Sequence, residues 1–402
     1  MKVFFTILLS LPLIAGMAQT GAPSLSASAT VSLLTCSPTD DGVYTVYGHT
    51  SIRVSDRELG LDRVFNYGIF DFSKPNFIYR FAKGETDYRL ASGDFGNFLA
   101  AYAWRGSEVC EQVLNLLPKE KEALWQALVH NELPENRVYR YNFFFDNCAT
   151  RPEAMISKNI RGMIRYVKTL DNKTFRDAIN YCTRNHPWQT FGCDLVLGKP
   201  TDRVMTMHEA FFLPEYLRKA LDRAIIIDED GMRRMLVSQT NILADASIER
   251  TPAPSPLTTP LAASIAFFII IALLTFTEWR LKMYFRALDC VLFFIAGMAG
   301  CLLYFLCFAS VHPSIFPNIS ILWLHPFHLV GVALISVKKF NKMAFWYHFI
   351  NFAAIFGMSA VWIFYMQHFN VAFAPLIGAL ALRSGAGIYN MRRMNKIRNL
   401  VK

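Results

Sequence analysis

The sequence YNFFFDNCATRP, residues 141–152, decides how the rest of the chain is interpreted. Aromatic residues that favour strands end the segment 138–145, and they stop at Asp146 and Asn147, which are both good helix N-caps. The residues that follow Cys148 favour helix. We therefore predict a strand over 138–145 and then a helix, with Cys148 at or just before the helix N-terminus.

Cys148 at such a position has the features of a nucleophile. Free amide groups and the dipole at a helix N-terminus lower the pKa of a thiol and favour the thiolate. A buried structural cysteine is the alternative interpretation. The polar neighbours Asp146, Asn147, Thr150 and Arg151 argue against that alternative.

A thiolate nucleophile needs a base, and the candidate is His49 in the segment VYGHTSIRV, residues 46–54. Gly48 permits close backbone approach beside it, although a lone histidine on a strand is more often a packing residue. A third group should accept the other imidazole N–H and orient the ring. The candidates on the next predicted strand, among which the sequence does not choose, are Asn66, Tyr67 and Asp71.

The charge of the 402-residue chain is unevenly distributed. Residues 19–255 carry 28 Lys/Arg and 29 Asp/Glu, whereas residues 256–402 carry 12 Lys/Arg, two acidic residues and long apolar runs. The formal net charge of +10 therefore belongs to the apolar half, and we expect a membrane rather than a nucleic acid as partner. The sequence has no metal-ligand spacing, phosphate-binding glycine loop or Gly-x-Ser-x-Gly motif, so we expect no metal and no cofactor.

The first 18 residues have the pattern of a secretory signal peptide, with a lysine, an apolar run and small residues. An uncleaved anchor is the alternative, but the apolar run is short for one. The exported domain, 19–250, would then hold five cysteines in an oxidising compartment, and an odd number leaves at least one unpaired within the chain. The candidate disulfides are Cys182 with Cys193 and Cys36 with Cys110, which leaves Cys148.

The exported domain has the pattern of an α+β fold. Alternating segments rich in β-branched and aromatic residues predict strands over 31–36, 44–54 and 62–72. Apolar spacing and a proline boundary predict helices over 108–117 and 119–132.

A proline-rich linker, 251–260, leads into a membrane domain, 257–402. Its apolar segments are long enough to cross a bilayer core of about 30 Å, and we predict an all-α bundle of five spans. The predicted spans are 257–277, 288–309, 316–336, 343–366 and 371–389.

The orientation of these spans follows from their loops. The loops 278–287 and 337–342 and the tail after 389 are rich in Lys and Arg, whereas the loops 310–315 and 367–370 contain none. By the positive-inside rule, we expect the N-terminal domain outside the cytoplasm and the C-terminus within it.

Three motifs give the chain a resemblance to a known family: YGHTSIR at 47–53, NYGIFDF at 66–72 and YRYNFFFDNCATR at 139–151. They resemble those of the Lnb-type lipoprotein N-acyltransferases of Bacteroidota. The histidine precedes the cysteine in the chain, and this order resembles that of the permuted papain-like fold. The resemblance implies an α+β permuted papain-like periplasmic domain, followed by an all-α five-helix transmembrane bundle in the bacterial inner membrane.

The resemblance also implies a reaction. Cys148 would attack an ester carbonyl of a membrane phospholipid while His49 takes the thiol proton, and the acyl thioester would pass its chain to a lipoprotein. The expected partners are thus a phospholipid donor, the membrane, and a lipoprotein whose N-terminal diacylglyceryl-cysteine has a free α-amine. Arg53, Arg151 and Asn147 are candidates for substrate binding, and for the two arginines surface ion pairs are an equal alternative.

Two other functions compete with acyl transfer. One is a membrane-tethered peptidase or amidase that acts on cell-wall peptide with the same cysteine and histidine. The other is a non-catalytic membrane scaffold. The predicted five spans favour the acyltransferase, because a single anchor would suffice for a peptidase.

Overall fold

The structure is a computed structural model that describes residues 22–70, 75–167, 172–246, 255–365 and 367–400. The predicted signal peptide and Asp71 lie outside the described residues. The strands are β1 (Thr30–Cys36), β2 (His49–Asp56), β3 (Leu61–Ile69), β4 (Asp87–Asp94), β5 (Val109–Leu114), β6 (Val138–Arg140), β7 (Met163–Arg165), β8 (Ile225–Ile227), β9 (Arg233–Met235) and β10 (Val237–Ala244).

Helices surround the strands and then make up the C-terminal region. Those of the N-terminal domain are α1 (Phe77–Lys83), α2 (Phe95–Trp104), α3 (Pro118–Glu132), α4 (Thr150–Lys158), α5 (Phe175–Cys182), α6 (Pro187–Val196), α7 (Met207–Ala210) and α8 (Pro214–Leu221). Those of the C-terminal region are α9 (Pro260–Leu281), α10 (Arg286–Phe308), α11 (Phe327–Ser336), α12 (Asn341–Tyr365) and α13 (Phe373–Leu400). The N-terminal domain is therefore α+β, and the C-terminal region is helical.

A seven-stranded antiparallel sheet organises the N-terminal domain, in the order β10-β5-β1-β2-β3-β4-β6. The pairing register puts Leu33 of β1 opposite Ile52 of β2, and both are fully buried. They share one hydrophobic core with Leu124 and Leu128 of α3. Burying each such side chain contributes about 1.5–3 kcal/mol, so this core holds β1 and β2 in fixed register beneath the site described below.

Within the segment 108–117, Val109–Leu114 form the strand β5, and the helix predicted there is wrong. β5 lies between two strands: Cys110 is paired with Thr35 of β1 on one side and with Ile242 of β10 on the other. Periodicity in a short apolar segment does not separate a strand from a helix. Backbone pairing along both edges decided the outcome. The predictions of β1 and of α3 are confirmed, and β2 begins at His49 after a 3₁₀ turn over Thr45–Tyr47.

The C-terminal region contains three segments that are long and apolar enough to cross a membrane, counted within the described residues: Pro260–Leu281, Arg286–Phe308 and Ile319–Ser336. The third consists of a 3₁₀ turn, Ile319–Leu322, and α11. The predicted spans 343–366 and 371–389 coincide with α12 and α13. A bundle of five spans stays a prediction.

A buried polar cluster links the helices of this region. The Arg383 guanidinium is fully buried, and it donates to Asp289 Oδ1 at 2.6 Å and to Glu278 Oε2 at 2.9 Å. Asp289 also accepts from the Tyr284 hydroxyl at 2.8 Å. Charges buried in an apolar setting are costly unless they are paired. The cluster therefore holds α9, α10 and α13 together.

The N-terminal domain is docked on the helical region through α6 and the turn that follows it. The Gly198 amide donates to the Ser314 carbonyl at 2.9 Å, and the Lys199 amide donates to the Pro317 carbonyl at 2.8 Å. Asn318 Nδ2 donates to the Leu195 carbonyl at 3.0 Å. Because these bonds join backbone to backbone or to a buried amide, they fix the domain relative to the membrane helices.

Candidate active site

His49 is placed by a tight turn at the start of β2. Gly48 has φ 77°, which L side chains rarely adopt, and a Cβ there would lie 2.8 Å from the carbonyl oxygen of Cys36. Only glycine fits this close approach. The turn places His49 at the first position of β2, directly opposite Cys36 of β1.

Asn66 of β3 is hydrogen-bonded to the imidazole of His49. The Nε2 atom of His49 and the Oδ1 atom of Asn66 form the bond, and the Ser51 hydroxyl donates to the same oxygen at 2.9 Å. Because Asn66 Oδ1 can only accept hydrogen bonds, the proton in its bond with His49 is on Nε2. This tautomer leaves Nδ1 of His49 without a proton and able to act as a base.

Cys148 interacts with the side chain of His49. Burial lowers the pKa of His49, but the charge and the side-chain hydrogen bond of Cys148, helped by the bond to Asn66, outweigh burial and raise it. A raised histidine pKa beside a thiol is the condition for a thiolate–imidazolium pair. Gly68 lies against Cys148: it has φ 91°, which L side chains rarely adopt, and a Cβ there would be in van der Waals contact with Cys148 Cβ at 3.4 Å.

The loop that carries Cys148 is held by its own backbone. Strand β6 ends at Arg140, and not at 145 as predicted. Asn142 and Asp146 then close a turn with two backbone hydrogen bonds of 3.0 and 2.9 Å. Phe144 in this turn packs inward with 6 % exposure, whereas Phe145 is 46 % exposed.

Asn147 connects this loop to α4. Its Oδ1 atom accepts from the amides of Ala149 at 2.8 Å and Thr150 at 3.0 Å, and its Nδ2 atom donates to the carbonyls of Phe143 and Phe212, each at 2.8 Å. The predicted capping role of Asn147 is therefore present. Cys148 lies two residues before the first residue of α4, as the sequence predicts.

Two family models match the chain, each over a separate region. The model of the Lnb N-terminal periplasmic domain matches residues 23–181, which include His49, Asn66 and Cys148. The model of the Lnb transmembrane domain matches residues 252–394. The chain is an Lnb-type protein. It is a membrane protein with a periplasmic N-terminal domain and a transmembrane domain. No curated protein and no solved structure gives a significant match.

Of the three candidates for the third group in this Lnb-type protein, Asn66 contacts the histidine. Tyr67 is 1 % exposed and donates its hydroxyl proton to Asn131 Oδ1 at 2.7 Å, so it is engaged elsewhere. Asp71 lies outside the described residues. Alternation along β3 explains the difference, because neighbouring residues face opposite sides of the sheet.

The three predicted substrate-binding residues all have intramolecular partners. Arg53 binds both carboxylate oxygens of Asp62 at 2.7 Å and Glu111 Oε1 at 2.9 Å. Arg151 binds both carboxylate oxygens of Asp146, at 2.6 and 2.7 Å. The ion pairs that the sequence left as an alternative are thus present for both arginines. Asn147 is 1 % exposed and its amide binds backbone groups of its own loop, and its role in substrate binding stays a prediction.

The predicted disulfides are not formed in the structure. Cys110 is paired with Thr35, and Cys36 is paired with Val109. Cys36 and Cys110 therefore face opposite sides of the sheet, and a disulfide between them is wrong. Cys193 carries a free thiol, which is not bonded to Cys182 and lies 3.9 Å from the Tyr47 hydroxyl.

Several residues near the site were not found from the sequence. The Tyr102 ring of α2 stacks on the His49 ring with centroids 6.1 Å apart. Arg105 lies close enough for its charge to lower the pKa of His49. Burial, and then the charge of Cys148, raise the pKa of Cys36 well above its usual value, so this second thiol stays protonated. The sequence pattern could not reveal these residues as part of the site, because they reach it from separate elements of the fold.

Tyr139 is the most unusual of these neighbours. Its ring is 7 % exposed and lies under the Arg151 guanidinium, 3.6 Å from the ring centroid. Burial, and then the charge of Cys148, raise its pKa. Among the described residues, none forms a hydrogen bond with the Tyr139 hydroxyl. A buried hydroxyl without a partner is costly, and such groups occur where a ligand supplies the partner.

Proposed function

We propose that this Lnb-type protein transfers an acyl chain from a membrane phospholipid to the N-terminal cysteine of lipoproteins. The observation that carries the proposal is the Cys148–His49–Asn66 arrangement on a domain docked on membrane helices. A thiol nucleophile, a base and an orienting amide are the groups that acyl transfer requires. Docking keeps them at a fixed place near a bilayer, where both lipid substrates reside.

In the first half-reaction, the thiolate of Cys148 attacks an ester carbonyl carbon of the phospholipid. The carbon–oxygen bond of the ester breaks, and the lysophospholipid oxygen leaves with the proton that His49 took from the thiol. The products are an acyl thioester on Cys148 and a lysophospholipid. Asn66 keeps the imidazole oriented for both proton transfers.

In the second half-reaction, the α-amine of the diacylglyceryl-cysteine attacks the thioester carbonyl. His49 takes a proton from the amine, an amide bond forms, and the Cys148 sulfur leaves. Thioester exchange with an amine is favoured where water is scarce, as at a membrane interface.

The Tyr139 hydroxyl is our candidate for stabilising the oxyanion of both tetrahedral intermediates. It lies near Cys148, it is buried, and its proton is not used by any other described residue. A donor that is already oriented toward a developing negative charge contributes more than one that must first leave water.

The orientation that fits this reaction has the N-terminal domain in the periplasm and the C-terminus in the cytoplasm of a bacterial inner membrane. The basic loops predict this orientation. A reporter fused after Lys402 should behave as cytoplasmic, and one fused near Thr251 as periplasmic. Reporters that behave alike would contradict the orientation.

The experiment that tests the function is a search for the thioester. Purified protein in phospholipid vesicles should gain the mass of one acyl chain on Cys148, and neutral hydroxylamine should remove it. Addition of a diacylated lipoprotein peptide with a free α-amine should discharge the adduct and yield a triacylated peptide. The same peptide with an acetylated amine should leave the adduct in place.

The competing functions predict other results. A peptidase or amidase would form no lipid adduct and would cleave a cell-wall peptide in a manner dependent on Cys148. A scaffold would do neither. Peptide cleavage by a protein whose Cys148 stays unmodified in vesicles would overturn the proposal.

A further inference from the structure

Helix α1 exposes an apolar surface that an aqueous environment does not explain. None of its seven residues is buried. Ile78 is 83 % exposed, Tyr79 54 % and Phe81 53 %. Single exposed apolar residues are common on soluble domains, but a run of them on an unburied helix marks a surface that contacts something apolar.

The position of α1 indicates what that contact is. The Lys83 carbonyl, at the last residue of α1, accepts from the Val311 amide at 2.9 Å, and the Phe81 carbonyl accepts from His312 Nε2 at 3.0 Å. Val311 follows the end of α10 at Phe308, a helix able to span the membrane. The ring of Tyr79 lies 5.9 Å from that of Phe305 within α10. Helix α1 is therefore at the level where a membrane helix emerges from the bilayer.

A second attachment lies at the start of α9. Trp188 of α6 is 56 % exposed, and its indole donates to the Thr258 carbonyl at 2.9 Å, two residues before α9 begins. The neighbouring Gln189 donates to the Val43 carbonyl at 2.7 Å. Val43 is 71 % exposed and Tyr44 59 %. These residues therefore lie close to the point where the chain enters α9.

We call this surface the apolar rim; it consists of Val43, Tyr44, Ile78, Tyr79, Phe81 and Trp188. Aromatic and aliphatic residues beside two such attachment points have the composition of a bilayer interface.

An aromatic path connects the rim with the thiol. The ring of Phe70 lies 5.9 Å from that of Tyr44 and 6.3 Å from that of Phe77 in α1. Phe70 contacts Tyr88 at 5.3 Å, and Tyr88 stacks on Tyr141 at 4.1 Å. At the thiol end, Gly68 lies two residues before Phe70, and a Cβ on this glycine would lie 3.4 Å from Cys148 Cβ. The faces of these aromatic rings are apolar and can contact an acyl chain.

We infer that the apolar rim contacts the bilayer leaflet that faces the N-terminal domain, and that the acyl chain of a phospholipid reaches Cys148 along the aromatic path from α1. The molecule that contacts the rim and enters the path is a phospholipid. This inference rests on the proposed function for its second part, the delivery of the chain. Its first part, the contact with the bilayer, is independent of any reaction.

The contact is tested without catalysis. The Cys148→Ala variant is reconstituted in vesicles that contain a phospholipid with a diazirine in its acyl chain, irradiated and mapped by peptide mass spectrometry. We expect adducts on the segment 75–83, in addition to the membrane helices, and none on the hairpin around Met232, which is 70 % exposed but belongs to the β7–β8–β9 sheet. Adducts confined to the membrane helices would overturn the inference. Cross-linking of two copies through α1 without adducts would assign the rim to a protein interface and would also overturn it.

Delivery of the chain is tested by the variant Ile78→Ser/Phe81→Ser. Loss of two exposed apolar side chains should slow formation of the Cys148 thioester from vesicle phospholipid by about tenfold or more, because the rim then binds the interface less well. The matched control is Met232→Ser/Met235→Ser, which removes two exposed apolar side chains from the other sheet and should react like the wild type.

Alkylation of Cys148 by iodoacetamide, which needs no bilayer, should be equally fast in the wild type and in both variants. Equal thioester formation in both variants would overturn the delivery path. A wild type that forms no thioester at all would instead refute the proposed function, and the photolabelling would still decide the membrane contact.

Discussion

The Nε2 atom of His49 is hydrogen-bonded to the Oδ1 atom of Asn66 on the adjacent strand. The same amide oxygen accepts from the Ser51 hydroxyl at 2.9 Å, which fixes its orientation. Two neighbouring strands in one register therefore supply the base and the group that orients it, and Cys148 arrives from a separate loop.

Replacement of the nucleophile or the base should abolish thioester formation. Cys148→Ala and His49→Ala should each lower the rate of acyl transfer to a diacylated peptide by about three orders of magnitude or more, and the double variant should be no worse than either, because the two groups act as a unit. Cys193→Ala, which removes another partly exposed free thiol of the same domain, should stay active. Intact activity in a correctly inserted Cys148→Ala protein would remove the mechanism.

The pH dependence should respond to Asn66 and Arg105 in opposite directions. The imidazolium form of His49 is present below its pKa and lost above it, so the alkaline limb of kcat/KM follows that pKa. The bond to Asn66 raises the pKa and the charge of Arg105 lowers it. Asn66→Ala should therefore move the limb to lower pH, and Arg105→Gln should move it to higher pH. Shifts of the same sign would contradict the electrostatic assignment.

Tyr139→Phe should separate activity from stability. Loss of an oxyanion donor costs about a hundredfold in rate, whereas removal of a buried hydroxyl without a partner leaves the thermal stability unchanged or raises it. The control is Tyr67→Phe, which removes a buried hydroxyl that does have a partner, Asn131. This control should lose about 1 kcal/mol of stability and keep its activity. If Tyr139→Phe reacts at the wild-type rate, the hydroxyl has no catalytic role.

Asn147→Ala should destabilise the N-terminal domain by about 2–4 kcal/mol, since its amide satisfies backbone groups of Phe143, Ala149, Thr150 and Phe212. Calorimetry or chemical denaturation in detergent measures the change. A direct role in substrate binding would instead raise KM at unchanged stability, and that result would count against the capping role.

Arg383→Leu should destabilise the helical region strongly, by about 3–5 kcal/mol, because it leaves Glu278 and Asp289 buried without their cation. The matched control is Arg392→Leu, on the exposed side of the same helix, where little change is expected. Thermal denaturation in detergent compares the two. Equal stability of both variants would show that the buried cluster is not a structural element.

Some features of this protein follow from the sequence because they depend on local chemistry. The position of Cys148 before a helix follows from the capping residues beside it, and α3 follows from its apolar spacing and its proline. The strongly apolar segments that coincide with α9 and α10 follow from length and hydropathy. Each of these is encoded within a few turns of chain, so no distant contact is needed to predict it.

Other features were decided by tertiary structure. Segment 108–117 became β5 because two strands pair with it, and Asn66 was selected over Tyr67 because alternation along β3 turns only one of them toward His49. Arg53 and Arg151 are engaged by carboxylates that the fold brings beside them. The motif around Cys148 and His49 was sufficient by itself to predict a thiol and its base. Which amide orients that base, which hydroxyl has no partner and which surface lies toward the membrane depend on strand register and domain docking, since these bring together residues that are far apart in the chain.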